Sequence, residues 1–291
     1  MIRAIKTTIL ITLFMSCATQ ETQSKGNATV EELVKANKNV LFQDETFNYE
    51  IDFTSYASSH ITAYNTYNAT IESGITFINC TFKKPIKAFK KMNDNIYIAT
   101  FKANVSFINC TFYDEVNFRG ATFISKTDFT KSYFKSNANF EEANFLLKSH
   151  FNGCIFDKET RFQNSFFFQA ANFMTTEFNH TVNFQSATFN SDLQFSSSKF
   201  YGYTDFSLLD VRGKSYFNYA NFFEKANFSY ATFANDFNFV DTSHKNTDCS
   251  NSKFFGKTII ANIEVSENFN LNNCSFFIAK PTINNSKVLI N

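Results

Sequence analysis

The dominant pattern in the chain is a Phe residue that recurs at alternating intervals of five and six residues. From Phe107 to Phe239, 25 consecutive sites of this 11-residue repeat carry 24 Phe residues and, at Val211, one Val. An α-helix cannot keep such sites on one stripe, because steps of five and six residues rotate the chain by about 140° and 240°. The pattern therefore excludes an amphipathic helix.

A short strand followed by a corner fits the repeat. The residue two positions before each Phe is usually small, as in Ala121 and Ser132, and the residue between them is often Asn or Asp, as in Asn139. Because side chains alternate along a strand, the small residue and the Phe point inward and the residue between them points outward. Such units can bury their Phe only by coiling and stacking. The repeat therefore predicts an all-β, parallel β-solenoid with ladders of Phe along its axis.

Triplets such as Ala138-Asn139-Phe140, Ala143-Asn144-Phe145 and Ala171-Asn172-Phe173 resemble the pentapeptide-repeat pattern of a small residue, Asn or Asp, then Leu or Phe. The resemblance covers about residues 101–240. It implies a right-handed, quadrilateral β-helix with four short faces per coil, and four units of five, six, five and six residues predict about 22 residues per coil. The extra residue in alternate corners leaves a three-faced solenoid open as the alternative.

Breaks in the repeat define the predicted organisation of the chain. We predict five segments: a lipoprotein signal peptide (1–16), a lipidated tether (17–27), an N-terminal cap with interrupted first coils (28–100), the regular Phe-ladder solenoid (101–240), and irregular C-terminal coils with a cap (241–291). The interruptions at about 54–74 and 83–100 are expected to leave the coil as loops. Thr29 begins a capping-box pattern, which predicts a short capping helix over 29–37.

The N-terminus has the pattern of an export signal. Arg3 and Lys6 precede an apolar run at residues 9–15 that is too short to span a bilayer as a mature helix. The sequence Leu13-Phe14-Met15-Ser16-Cys17 resembles a lipobox, which implies cleavage before Cys17, lipidation of that residue and stable membrane anchoring. We therefore expect a lipid-anchored protein of the bacterial cell envelope, at the outer membrane. The alternative is an ordinary signal peptide with an incidental cysteine.

Composition and charge give little support to catalysis or nucleic-acid binding. The formal net charge is +1, and removal of residues 1–16 changes it to −1, so no global field favours a nucleic acid. None of the four histidines lies in a spacing that binds zinc or activates a nucleophile: His60, His150, His180 and His244. We predict no catalytic residue, metal site or cofactor. Four cysteines that each precede a Phe by two residues are predicted to be small buried fillers: Cys80, Cys110, Cys154 and Cys274.

Two groups of residues are candidates for an interaction surface. The first is a lysine-rich segment at an interruption of the solenoid: Lys83, Lys84, Lys87, Lys90 and Lys91. It could contact lipid headgroups or an anionic glycan, and the alternative is a solvated loop that discourages edge pairing. The second group is made of aromatic residues outside the ladder, which could bind sugars or protein partners: Phe166, Phe168, Tyr201, Tyr203, Tyr216, Tyr219, Phe223 and Tyr230.

Two functional hypotheses follow. The repeat uses nearly every inward residue for stacking, which favours a non-catalytic, membrane-anchored scaffold or binding protein with a protein or glycan partner. The alternative is a β-helix enzyme that acts on an envelope or extracellular polysaccharide, although the spacing nominates no carboxylates for it. The pattern does not define an oligomeric state.

Overall fold

The computed structural model describes residues 28–283 and 287–290. The chain winds into a parallel β-solenoid of about eight turns with almost no helix. Equivalent strands in consecutive coils of the regular region pair in register 22 residues apart, as Thr111 pairs with Tyr133 and Val105 with Thr127. The predicted fold class and coil length are therefore confirmed. The predicted signal peptide, the tether and Cys17 lie outside the described residues.

Each coil has four faces, numbered here in chain order, so the four-sided cross-section is correct and the three-sided alternative is wrong. Face 1 is a ten-stranded parallel sheet. Its strands are Val40–Gln43, Ile75–Ile78, Val105–Ile108, Thr127–Asp128, Ser149–His150, Ala171–Asn172, Leu193–Gln194, Ser215–Tyr216, Phe237–Val240 and Thr258–Ala261.

Faces 2 and 3 join into one sheet near the C-terminal end, where three strands run across the corner between them. Face 2 contains Thr46–Phe47, Thr81–Phe82, Thr111–Phe112, Tyr133–Phe134, Ile155–Phe156, Glu177–Phe178 and Lys199–Phe200. Face 3 contains Ile51–Asp52, Ile86–Lys87, Val116–Asn117, Ala138–Asn139, Thr160–Arg161, Val182–Asn183, Thr204–Asp205 and the last strand, Val288–Leu289. The strands that span both faces are Asn221–Asn227, Ser243–Asp248 and Glu264–Asn270.

Face 4 carries the two interruptions of the early coils. Its strands are Thr66–Ile71, Asn95–Phe101, Thr122–Phe123, Asn144–Phe145, Phe166–Phe167, Thr188–Phe189, Asp210–Val211, Thr232–Phe233, Lys253–Phe254 and Ser275–Phe276. The first two are extended by antiparallel partners, Ser59–Ala63 and Phe89–Met92, and they pair with each other in parallel. The segments expected to be loops are thus mainly β-hairpins that stack on one another.

Stacked Phe rings fill the solenoid. The ring of Phe162 lies parallel to those of Phe140 and Phe184 in the coils on either side, with centroid distances of 4.8 and 4.7 Å. It also meets Phe151 and Phe173 of face 1 edge-on, at 5.4 Å in both cases. Each ring therefore has parallel neighbours along the axis and T-shaped neighbours across it, which are the two arrangements that aromatic quadrupoles favour.

The alternation of five and six residues corresponds to two kinds of corner. In the five-residue corners, between faces 1 and 2 and between faces 3 and 4, the chain closes a turn with a bond between residues three apart, as when Ser132 N–H donates to the Phe129 carbonyl at 3.0 Å. The residue before the bond donor has a positive φ, as in turns of type II. In the regular coils these residues recur every eleven positions: Asn109, Gly120, Lys131, Glu142, Gly153, Asn164, Thr175, Ser186, Ser197, Leu208, Tyr219 and Tyr230.

The Asn and Asp residues of the repeat are explained by the same corners. They project outward from faces 1 and 3, and their side-chain oxygens accept a bond from the backbone N–H two residues later. Asn183 accepts from Gln185 at 2.8 Å, and Asp205 accepts from Ser207 at 2.9 Å. This local bond stabilises the first residue of the corner. Faces 2 and 4 precede the six-residue corners, and their outward residues vary in chemistry.

Small polar residues between faces 1 and 2 tie each coil to the one before it. Ser198 Oγ donates to the Phe173 carbonyl at 2.6 Å, and Ser132 Oγ donates to the Phe107 carbonyl at 2.7 Å. The Cys154 thiol makes the same contact with the Phe129 carbonyl at 2.9 Å. Cys80, Cys110 and Cys154 are buried and Cys274 is half-buried, so these cysteines fill the position that Ser, Thr or Ala fills in other coils.

The predicted N-terminal capping helix is present as Val30–Lys35, and both bonds of its capping box, between Thr29 and Glu32, are formed. Val30, Leu33 and Val34 are buried against the first coil, so the helix covers the open end of the ladders. At the other end, Ile283, Val288 and Ile290 pack on the last core residues. Both ends of the Phe core are therefore shielded by the described chain.

Replacement of a ladder residue tests the role of stacking. We expect Phe162→Ala to lower the free energy of unfolding by roughly 3–5 kcal/mol, because it leaves a cavity between four rings. Urea titration followed by circular dichroism measures this loss. The matched control is Phe168→Ala on the exposed side of face 4, where we expect a change within about 0.5 kcal/mol. Equal effects of the two substitutions would contradict the ladder as the stabilising core.

A second prediction concerns the five-residue corners. Asn183→Ala removes the acceptor of the Gln185 N–H, and we expect a loss of about 1 kcal/mol in the free energy of unfolding. Asn183→Asp keeps an acceptor at this position and should retain most of the stability. The same urea titration compares the two variants, and an Asp variant as unstable as the Ala variant would show that the bond does not stabilise the corner.

Candidate interaction surfaces

The structure does not gather the five lysines of the predicted surface into one patch. Lys87 lies on face 3 and pairs with Glu50 at 2.6 Å, and Lys90 lies on a hairpin strand and is 3.7 Å from Asp52. The hydrogen bond to Glu50 raises the pKa of Lys87. Two of the five charges are thus offset locally, which reduces the field that an anionic partner would meet.

The other lysines lie further apart. Lys84 and Lys91 are exposed, on a corner and on a hairpin strand respectively. Lys83 lies at the edge of face 2, with its Nζ 3.2 Å from the centroid of the Tyr113 ring, and Lys135 of a later coil approaches the same ring to 4.3 Å. These ammonium groups lower the pKa of Tyr113, with Lys135 contributing most. Lys135 is 22 residues beyond Tyr113, and the 22-residue coil was the signal that could have predicted this neighbour.

The aromatic residues predicted outside the ladder also form several small groups instead of one surface. Tyr219 and Tyr230 are each 60% exposed and occupy positive-φ corners. Phe166 and Phe168 lie together on face 4, with ring centroids 6.3 Å apart. Tyr216 projects from face 1 and Tyr203 lies on the corner after face 2.

Tyr201 and Phe223 form the one stacked pair within this group. They occupy equivalent positions at the edge of face 2 in consecutive coils, and their rings are parallel within 3° at a centroid distance of 4.6 Å. Tyr201 is 40% exposed and Phe223 is 45% exposed. A pair this regular on the outside of the solenoid keeps a large apolar area in water, which is typical of a binding surface.

A groove of about 410 Å³ begins beside this pair. It is lined by Phe223, Ser243, Lys245, Glu264, Ser266 and Glu267, with Phe222, His244 and Val265 beneath them. Its cause is a corner one residue shorter than its neighbours: five residues separate His244 from Cys249, whereas six separate Phe222 from Phe228 and Val265 from Leu271. The strand pairing shifts register at this corner on both sides.

The face 2 ladder changes composition under the groove. His244 takes the place of Phe and stacks on Phe222 at 5.1 Å, and Val265 follows in the next coil. His244 is buried, its Nδ1 lies 2.9 Å from Thr247 Oγ1 and its Nε2 lies 2.8 Å from Thr242 Oγ1. Burial lowers the pKa of His244 to about 3, so the ring is neutral at physiological pH and serves as part of the core.

Features of a metal site or membrane span were also sought within 28–283 and 287–290. In this part of the chain, no three His, Cys, Asp or Glu side chains are grouped so that they could hold a metal ion. The same residues include no helix that is both long and apolar enough to cross a membrane.

The class of protein that this geometry defines is a four-sided parallel β-solenoid with a Phe-stacked core. Within this class, a family model described as pentapeptide repeats (9 copies) matches residues 107–146, which are the first regular coils after the hairpins. The chain is thus similar to pentapeptide-repeat proteins in sequence as well as in fold. No curated protein matches the chain.

Acid titration tests the buried state of His244. Because its folded pKa lies below its unfolded value of about 6.5, its contribution to stability is complete above pH 6.5 and is lost as the pH falls toward 3. We expect the free energy of unfolding to fall through this group by up to about 1.4 kcal/mol per pH unit in that window. His244→Phe should remove this component, whereas His180→Phe at an exposed site should keep it. Identical pH profiles for His244→Phe and the unaltered chain would contradict a buried neutral imidazole.

Proposed function

We propose that the protein is a non-catalytic scaffold or binding protein, anchored by lipid at Cys17 in the bacterial cell envelope. The observation that carries the proposal is the division of labour in the repeat. Inward residues form the Phe ladders, and outward Asn and Asp residues of faces 1 and 3 hold the corners. Faces 2 and 4 remain as two long surfaces whose side chains are free to vary, which suits the display of contacts to a partner.

Membrane attachment is supported by the lipobox-like sequence ending at Cys17. The described chain starts at the capped end of the solenoid, where Val30 is buried against the first coil. An anchor at Cys17 would therefore hold the N-terminal end at the outer membrane, and the coils would extend away from it. With ten strands stacked on face 1, the reach is roughly 40 Å at a strand spacing of about 4.8 Å.

The chemistry of the outward faces favours a protein or glycan partner over a nucleic acid. The chain is close to neutral, and three of the exposed basic side chains are paired with carboxylates: Lys87 with Glu50, Lys102 with Glu72, and Lys199 with Glu177. A nucleic-acid surface needs unpaired cations arranged along a phosphate backbone. Exposed aromatic and mixed polar side chains on faces 2 and 4 suit the other two classes of partner.

Metabolic labelling tests the anchor. In a bacterium fed an alkyne analogue of palmitate, we expect the full chain to be labelled and to fractionate with membranes, because lipid chains attached at Cys17 bind the bilayer stably. Cys17→Ser should abolish both signals. Cys274→Ser, which changes a half-buried core cysteine, should leave them unchanged.

Two outcomes would contradict the proposal. Full labelling of the Cys17→Ser chain would contradict anchoring at this residue. Turnover of an envelope polysaccharide by the pure protein would contradict a non-catalytic role.

A further inference from the structure

Three departures from the regular repeat coincide at one place on the surface. The corner after His244 is one residue short, the face 2 ladder passes from Phe222 to His244 and Val265, and an exposed stacked pair, Tyr201 and Phe223, lies at the edge. A repeat that is otherwise regular over many coils has no structural need for such a combination. Local exceptions of this kind tend to mark functional sites.

The short corner creates the groove directly. Two residues of each flanking coil, Phe223-Glu224 on one side and Ser266-Glu267 on the other, oppose the single residue Lys245. Lys245 pairs with Glu224 at 2.8 Å, so its side chain is held toward the first of these coils. The surface is therefore depressed between the two flanking coils, and buried His244 lies beneath it.

Phe223 presents one ring face to this groove. Tyr201 of the preceding coil covers the opposite ring face at 4.6 Å, and the groove extends toward the following coils. The stack holds the Phe223 ring in a fixed orientation. A fixed, exposed aromatic face is well suited to pack against the apolar C–H face of a pyranose ring.

The polar lining combines acceptors and donors. Glu264 and Glu267 contribute carboxylates, Lys245 contributes an ammonium group, and Ser243 and Ser266 contribute hydroxyls. A sugar hydroxyl both donates and accepts, so it can use all three kinds of group. An anionic glycan would meet the two carboxylates, and a cationic peptide would meet Lys245.

A second depression, of about 390 Å³, continues across face 2. It shares Ser243 and Glu264 with the groove and adds Asp241, Asn262 and Asn221. Together the two depressions form a polar strip that starts at Phe223. Such a strip has room for more than one sugar unit, and each depression lies within the usual size range of ligand sites, about 300–1,000 Å³.

From these features we infer that the groove between Phe223 and Glu267 is a binding site for a neutral oligosaccharide, in which one sugar ring stacks on Phe223 and its hydroxyls bond to Glu264, Glu267 and Lys245. The inference rests on the proposed binding function and gives it a ligand class. It predicts recognition by the C-terminal coils of face 2, at the end of the solenoid opposite the capping helix.

Calorimetric titration of the full chain in detergent micelles tests the site. The probes are four neutral hexasaccharides, cellohexaose, xylohexaose, chitohexaose and maltohexaose, together with heparin and oligolysine as charged comparisons. We expect saturable binding of at least one neutral hexasaccharide, weakened at least tenfold by Phe223→Ala. The matched control, Phe168→Ala, removes an exposed aromatic of face 4 and should bind as the unaltered chain does.

A second variant tests the groove itself. Insertion of one Ser between Lys245 and Asn246 restores the six-residue corner, and we expect it to abolish hexasaccharide binding while circular dichroism remains unchanged. Absence of binding to all four hexasaccharides, binding unaffected by Phe223→Ala, or Phe223-dependent binding of heparin or oligolysine alone would each overturn the inference. Lipid labelling at Cys17 would be unaffected by these results, so failure of the sugar site is distinguishable from failure of the anchored scaffold.

Discussion

Parallel stacking of Phe rings between coils is the interaction on which this structure depends. Centroid distances between successive ladder rings, such as 4.5 Å for Phe145 and Phe167, match the spacing of paired strands. Ring stacking and backbone pairing therefore reinforce each other only when equivalent residues lie in register. A coil whose length differs from 22 residues must compensate locally, as the early coils do with hairpins such as the one ending at Ile71.

The same constraint separates the residues that can vary from those that cannot. A Phe such as Phe162 touches rings above, below and across the interior, and Asn183 holds a corner through its own backbone. Residues on faces 2 and 4 have no such duty, so Tyr201, Glu177 and Arg212 can stand at positions that differ in chemistry from coil to coil. Binding surfaces can thus change there with little effect on the ladder.

The sequence was sufficient to predict the architecture, because spacing alone defines which residues point inward. The 22-residue coil, the inward Phe and the Thr29 capping box all follow from periodicity or from local bonding rules. The hairpins were not predicted, since segments such as Ser59–Ala63 lack the repeat and pair only with each other. The groove was also missed: the shortened step to Cys249 is visible in the sequence, but the opposition of Lys245 to two residues on each side appears only when coils are stacked.

The absence of any strand that crosses between distant coils has a consequence for the evolution of the molecule. Each coil contacts chiefly the rung above and the rung below, and every regular rung presents the same four inward positions to its neighbours. Duplication or loss of a 22-residue segment would therefore lengthen or shorten the rod by one rung and leave both caps intact. Rod length and ligand chemistry can accordingly diverge as separate heritable traits.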